Sequence, residues 1–156
     1  MPRPIFKKID LVQIINKSLD FIKLTSKNSI NFYNNSNESF INGDEEQLNR
    51  VFINLVKNCE ESFEDIKHKD LNFKGNIDIE IANNNDYIII NVNDNGSGIT
   101  DAKKAMTPYF TTKKTGTGLG LPIVTKIINE HSGNFLIKNR KDKKGTVVTI
   151  SLPKHV

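Results

Sequence analysis

Two apolar runs alternate with polar residues, and this one-sidedness limits the fold more than any other feature of the chain. Ile77, Ile79 and Ile81 are interleaved with Asp78 and Glu80, and Ile88, Ile90 and Val92 recur at the same spacing between Tyr87 and Asn93. Neighbouring side chains on a strand point to opposite faces, so each strand buries one face and wets the other. A sheet built of such strands needs cover on one side only. Amphipathic helices supply that cover. One runs from Gly43-Asp44 to about Lys67, with Leu48, Val51, Phe52, Leu55, Cys59 and Phe63 as its stripe. A second, over roughly 11–26, is capped by Asp10 and carries Leu11, Ile14, Ile15, Leu19 and Ile22 on one face. A third is expected over about 120–131. Short strands are expected at 29–33 and 39–42, around the polar turn Asn34-Asn35-Ser36-Asn37, and at 134–139 and 146–152. Met1-Pro2-Arg3-Pro4 reads as an extended lead-in. The expected class is α+β: a two-layer α/β sandwich, with a sheet of about five strands covered on one face by three helices.

Composition narrows the functional classes. The 156 residues suit one domain, and 37% hydrophobic content suffices for one core. There is no apolar run of about 18 residues and no basic-then-apolar leader, so a cytoplasmic domain without membrane contact is expected. The single cysteine, Cys59, excludes an internal disulfide framework and fits a reducing compartment. Its place in a helix stripe makes it a packed core residue. Net charge is +4 with a pI near 9.1, but the lysines are scattered and acids nearly balance them. A dedicated nucleic-acid surface would require steeply salt-dependent binding and a groove-reading element, and none is evident. Lys141-Asp142-Lys143-Lys144 reads as a solvated hairpin turn.

Three short motifs carry the chemistry. Period-2 counting places Asp94 on the buried face of its strand with Ile88, Ile90 and Val92. An unpaired carboxylate there is costly, so it needs a donor. The exocyclic amino group of adenine is one, whereas guanine presents an oxygen at that position. A strand-ending Asx-turn with Asn95-Gly96 satisfies the same carboxylate. Gly96 and Gly98 permit positive φ and close approach of a flat ring, and a tight turn without ligand uses the same residues. Asn54 and Asn58 lie four apart on one helix face, flanking the apolar stripe. Their oxygens suit Mg²⁺, which takes few protein ligands beside phosphate and water. In an Asn-rich chain this spacing also arises by chance. Gly116-Thr117-Gly118-Leu119-Gly120-Leu121 opens the third helix, with Lys113 and Lys114 just upstream. Free N–H groups at a helix start bind phosphate, and Pro122 is tolerated in that first turn. The run is neither a Walker nor a dinucleotide fingerprint. The irregular stretch from 97 to 118 suits a functional lid or a loop. Thr146 shares the buried face of the last strand with Val148, Ile150 and Leu152, and its hydroxyl needs a partner.

Together these motifs resemble the ATP-binding catalytic domain of sensor histidine kinases. Asn54-Leu55-Val56-Lys57-Asn58 resembles that family's asparagine box, Asp94 to Ile99 its first glycine box, and Gly116 to Leu121 its second. Pro108-Tyr109-Phe110-Thr111-Thr112-Lys113 resembles the phenylalanine box, and His131-Ser132-Gly133 and Gly145-Thr146 match later landmarks. The lid spelling and the Met-Pro lead-in resemble nitrogen-regulation kinases of the NtrY/NtrB kind. The resemblance implies a Bergerat-type fold with a mixed sheet, shared with gyrase and heat-shock chaperone ATPases, and it implies ATP and Mg²⁺ as cofactors. By resemblance, Asp94 takes the adenine amino group, Asn58 holds Mg²⁺, and Asn54 lies near metal and phosphates. Lys113 contacts phosphate and, with Asn54, forms the catalytic pair. Gly96, Gly98, Ile99 and Thr146 line the base side. Phe110 and Thr112 belong to the lid, and Gly116, Thr117, Gly118, Leu119 and Gly120 to its phosphate-side hinge. Cys59 stands where Ala is usual, and Met106 where the lid often has Phe.

The resemblance divides the chain into a linker at 1–9, following a dimerisation and phosphoacceptor domain, and a catalytic domain at 10–153 with a lid near 100–118. None of His68, His131 and His155 matches the phosphoacceptor position. The implied partners are therefore the dimerisation and phosphoacceptor domain of the same kinase and the receiver domain of a response regulator. A nucleotide-gated interaction module without transferase activity is the alternative. Efficient hydrolysis is not expected, because Asn54 stands where chaperone-type ATPases carry a general-base Glu.

Overall fold

The structure, a computed structural model, describes residues 3–99 and 120–156. Its elements in chain order are β1 (Lys7–Asp10), α1 (Leu11–Lys23), β2 (Ser29–Asn34), β3 (Phe40–Gly43), α2 (Glu45–Lys67), β4 (Asn76–Asn83) and β5 (Tyr87–Asp94). Then follow α3 (Gly120–Glu130), β6 (Asn134–Asn139) and β7 (Thr146–Pro153). The main sheet has five strands in the order β2-β4-β5-β7-β6, and β1 with β3 forms a separate two-stranded ribbon. Only β2–β4 is parallel; the other neighbours in the main sheet are antiparallel, so the sheet is mixed as expected. The three helices of the described residues cover one face. Ile77, Ile79, Ile81, Ile88, Ile90 and Val92 form a continuous buried surface with Phe52, Phe63 and Leu55 of α2.

The alternation is obeyed strand by strand. Register pairs Ile79 with Val92 and Ile81 with Ile90, so isoleucines of neighbouring strands stack in cross-strand pairs on the buried side. Asp78, Glu80, Asn91 and Asn93 fall on the other face, where Asn31 Nδ2 donates to Asp78 Oδ1 at 3.0 Å. The lead-in runs into β1, whose only fully buried residue is Ile9. One apolar residue gives no readable alternation, which is why pairing with β3 is invisible in the sequence. The strands flanking the Asn34–Asn37 turn do not pair with each other: β2 joins β4 and β3 joins β1. Helix α1 ends at Lys23, earlier than 26, because the Thr25 and Ser26 amides fold back on Ile22 O and Ser26 Oγ donates to Glu60 on α2 at 2.6 Å. Among the described residues no helix is long and apolar enough to cross a membrane.

Helices α2 and α3 are joined end to end through one imidazole. Asp44 caps α2, its Oδ1 accepting from the Gln47 amide at 3.0 Å. The Asp44 N–H donates to His131 Nε2 at 3.0 Å, and His131 Nδ1 lies 2.8 Å from Ile127 O of α3. That pair of contacts assigns Nδ1 as donor and Nε2 as acceptor. Gln47 holds the position from which a capping-box side chain returns to the cap amide. His131 takes that donor instead, and the buried Gln47 amide has no partner among the described residues. The N-terminal segment closes over the joint: Ile5 N–H donates to Asp44 Oδ2 at 2.8 Å, and the Phe6 ring lies 4.7 Å from the His131 ring.

Asp44 gives the joint a pH dependence. Burial opposes its ionisation, but amide donors from Ile5, Gln47 and Glu46, with His131 nearby, outweigh burial and hold the carboxyl below its ordinary 3.8. A lowered folded-state pKa adds stability in full above the ordinary value, and loses it as pH falls through the lowered one. Asp44→Asn keeps the cap but not the charge. In urea titrations the wild type is expected to exceed Asp44→Asn by about 1 kcal/mol at pH 7. The gap should close below about pH 4; a gap constant from pH 7 to 3 refutes the assignment.

Candidate functional site

Strand β5 delivers Asp94 to the floor of a small cavity under the helices. Its side chain points with Val92 toward α2 and is 4% exposed. Gly96 N–H donates to Asp94 Oδ1 at 2.8 Å, which is the Asx-turn, and Thr146 N–H reaches the same oxygen at 3.3 Å. Both bonds fall on Oδ1. Among the described residues the carboxylate thus serves the turn with one oxygen. Asn95 faces the other way, accepting from Asn76 N–H at 2.7 Å and donating to Lys74 O at 3.0 Å.

The two glycines of this loop are glycine for different reasons. Gly98 has φ +80, where side chains are strained, as the turn argument expects. Gly96 is not among the positive-φ glycines; a Cβ there would overlap Ser62 Oγ of α2. Helix packing, not backbone conformation, excludes a side chain at Gly96. Gly145, at φ +139, meets the loop from the far side, where a Cβ would overlap the Asp94 carbonyl oxygen.

The cavity holds about 20 Å³, room for one water-sized group. Leu55, Val92, Ile99 and Val148 make its walls apolar, and Asp94, Thr146 and Asn58 supply the polar edge. The combination is apolar walls around a single buried carboxylate, at a volume that admits an N–H donor group but not a whole ring. Asn58 lines the cavity from α2 and is half-buried; Asn54, one turn earlier and also half-buried, does not line it. Cys59 is buried in the core as expected and also borders the cavity. Gly120 opens α3. Phe110, Thr112, Lys113, Gly116, Thr117, Gly118 and Leu119 lie outside the described residues.

Among the described residues no group of three His, Cys, Asp or Glu forms a ready-made metal cage. A metal held mainly by phosphate oxygens with one carboxamide needs no such cage, so Asn58 fits Mg²⁺ in that mode.

Three residues that sequence reasoning passed over bear on the site. Ser62 packs on Gly96. Asn139 and Arg140, at the end of β6, contact the backbone at the two ends of the 94–99 loop. A polar pair ending an exposed strand carries no signal for such contacts, because they depend on β6 lying beyond β7 in the sheet.

Comparison with known proteins bears on the family and the fold. Residues 43–156 match the family model described as histidine kinase-, DNA gyrase B-, and HSP90-like ATPase. Among curated proteins, an NtrY-like sensor histidine kinase of Rickettsia prowazekii is 35% identical over 153 residues, 96% of this chain and 24% of that protein. Sporulation kinase B of Bacillus subtilis is 43% identical over 115 residues, 72% of this chain and 25% of that protein. The chain thus spans about a quarter of these relatives. Among solved structures, the catalytic domain of histidine kinase ThkA superposes with a TM-score of 0.80 at 28% identity, covering 96% of each chain. The isoleucine-faced sheet, the Asp94 turn against α2 and these matches lead to one assignment: the chain belongs to the histidine kinase-, DNA gyrase B- and HSP90-like ATPase family.

Proposed function

We propose that this chain is the ATP- and Mg²⁺-binding catalytic domain of a two-component sensor histidine kinase of the NtrY-like kind. Residues 10–153 form the catalytic unit and the lead-in before them joins it to a dimerisation and phosphoacceptor domain. The observation that carries the reading is Asp94: a buried carboxylate, one oxygen committed to its turn, at the floor of an apolar cavity that Asn58 borders. Asp94 accepts the adenine amino group, and the apolar walls border the edge of the ring that carries it. Asn58 and the phosphates hold Mg²⁺, which supplies charge neutralisation on the phosphate oxygens. Asn54 and Lys113 serve the phosphate side. Catalysis is positioning of the γ-phosphate toward an external histidine, with no covalent step on this chain.

The substrate histidine belongs to another domain. Both His131 ring nitrogens are engaged, and His68 and His155 are exposed at a helix end and in the tail. The length of the relatives leaves room for that domain. A ThkA structure in complex with a response regulator, similar to this chain at a TM-score of 0.77, supports a receiver domain as the next acceptor. A cytoplasmic setting follows from that partner.

The test supplies an NtrY-like phosphoacceptor domain in trans with labelled ATP. The expected product is acid-labile, base-stable phosphohistidine on that domain, and none with Asp94→Asn. Absence of transfer by the wild type, where a control kinase succeeds, favours an interaction module gated by nucleotide.

A further inference from the structure

The 94–99 loop is gripped from outside the cavity by the end of β6. Asn139 makes two bonds to one residue forty positions away: its Oδ1 accepts from Ile99 N–H at 2.8 Å, and its Nδ2 donates to Ile99 O at 2.7 Å. This is the pairing a neighbouring strand would offer, supplied by one side chain. Of the short side chains only a primary amide presents a donor and an acceptor side by side at neutral pH. Gly98 is fitted to the approach, since a Cβ there would come within 2.7 Å of Asn139 Oδ1. The adjacent Arg140 secures the other end of the loop: its Nη1 donates to Asp94 O at 3.2 Å. Its backbone N–H bonds Gly145 O at 2.9 Å, and Asp142 pairs with its guanidinium at 3.2 Å.

We infer that Asn139 is a positioning residue for nucleotide binding, acting through Ile99 to hold the loop that aims the Asp94 carboxylate. The inference rests on the reading of Asp94 as the adenine acceptor. Ile99 and Asp94 border the same cavity, so fixing the Ile99 backbone fixes one wall and the loop bearing the acceptor together. Asn139 does not border that cavity. Its contribution is preorganisation: a loop already held in its bound shape has less ordering to undergo when the base arrives.

Asn139→Asp and Asn139→Ala in the whole chain separate this role from general stability. A carboxylate accepts from Ile99 N–H but meets Ile99 O with no hydrogen between them. A protonated carboxyl restores the missing donor. Mg²⁺-ADP affinity, measured by calorimetry at several pH values and expressed relative to wild type, is the readout. At pH 7.5 both variants are expected to bind roughly 10-fold more weakly. As pH falls through the ordinary Asp range of about 4, Asn139→Asp should recover toward wild type while Asn139→Ala stays weak. The Ile99 amide should be protected from hydrogen exchange in the wild type and exposed in Asn139→Ala. Wild-type affinity in either variant at pH 7.5, or an Asp variant that tracks the Ala variant at every pH, overturns the inference. A wild-type chain that binds no nucleotide, with Ile99 still protected through Asn139, removes the functional reading and this role with it while leaving the clamp itself standing.

Discussion

Asp94→Asn is expected to fold like the wild type and to lose ATP. Asn is nearly isosteric, and its amide oxygen can keep the Gly96 and Thr146 donors that Oδ1 now takes. Its NH₂ group then occupies the position of Oδ2 and presents hydrogens where an acceptor stood. An adenine amino group approaching it meets donor against donor. The lost charge-assisted bond and the new mismatch together amount to about 3 kcal/mol, roughly a 100-fold loss in affinity. A purine with a carbonyl oxygen at the equivalent position should suffer least, so the ratio of ATP to inosine triphosphate affinity should fall more steeply than affinity overall. Calorimetric titration of both nucleotides into both proteins, with GTP as a further control and urea midpoints to confirm equal folding, measures this directly. An unchanged ATP affinity in a well-folded variant removes Asp94 from the site.

The second large effect concerns stability. Gly145→Ala places a methyl group where it overlaps the Asp94 carbonyl oxygen, within 3.0 Å of the Asp94 carbonyl carbon and 2.9 Å of Arg140 Cδ. The position is doubly closed, because φ +139 is itself unfavourable to any side chain. Strained backbone contributes about 1–3 kcal/mol, and pushing the end of β5 away from β7 adds to it. A total near 3 kcal/mol corresponds to a melting temperature lower by about 6–12 °C at this chain length. Gly120→Ala, at a site where an added Cβ meets nothing within 4 Å among the described residues, serves as the comparison for melting temperature alone. A Gly145→Ala protein that melts with the wild type would mean that the β6–β7 turn yields freely and does not brace Asp94.

The parts legible in the sequence were those with a strong local period. The isoleucine alternation predicted β4, β5 and their single buried face, and the α2 stripe predicted a helix down to Lys67, where it ends. Counting by twos along β5 put Asp94 inside, and it is. Strand β1 was missed because one buried residue in four makes no pattern. The parallel β2–β4 pairing was beyond reach for another reason: nothing local in Ser29–Asn34 says which strand it joins. Positive φ was expected at Gly96 and is not found; what excludes a side chain there is Ser62, thirty-four residues earlier. Asn139 and Arg140 show the same limit. Their work is done on a loop that precedes them by about forty residues, and only the strand order brings the two together.

That strand order also fixes when the site comes into existence. β7 is the last strand of the described residues, yet it lies inside the sheet between β5 and β6. Thr146, which braces the Asp94 carboxylate, is its first residue. A chain emerging from the ribosome therefore carries Asn58 and Asp94 for some time before the strand that closes over them is available. With pairings this distant in sequence, the sheet has little to gain from forming early. A chain stopped before Thr146 would leave β5 paired with β4 alone, its other edge open to association with another chain.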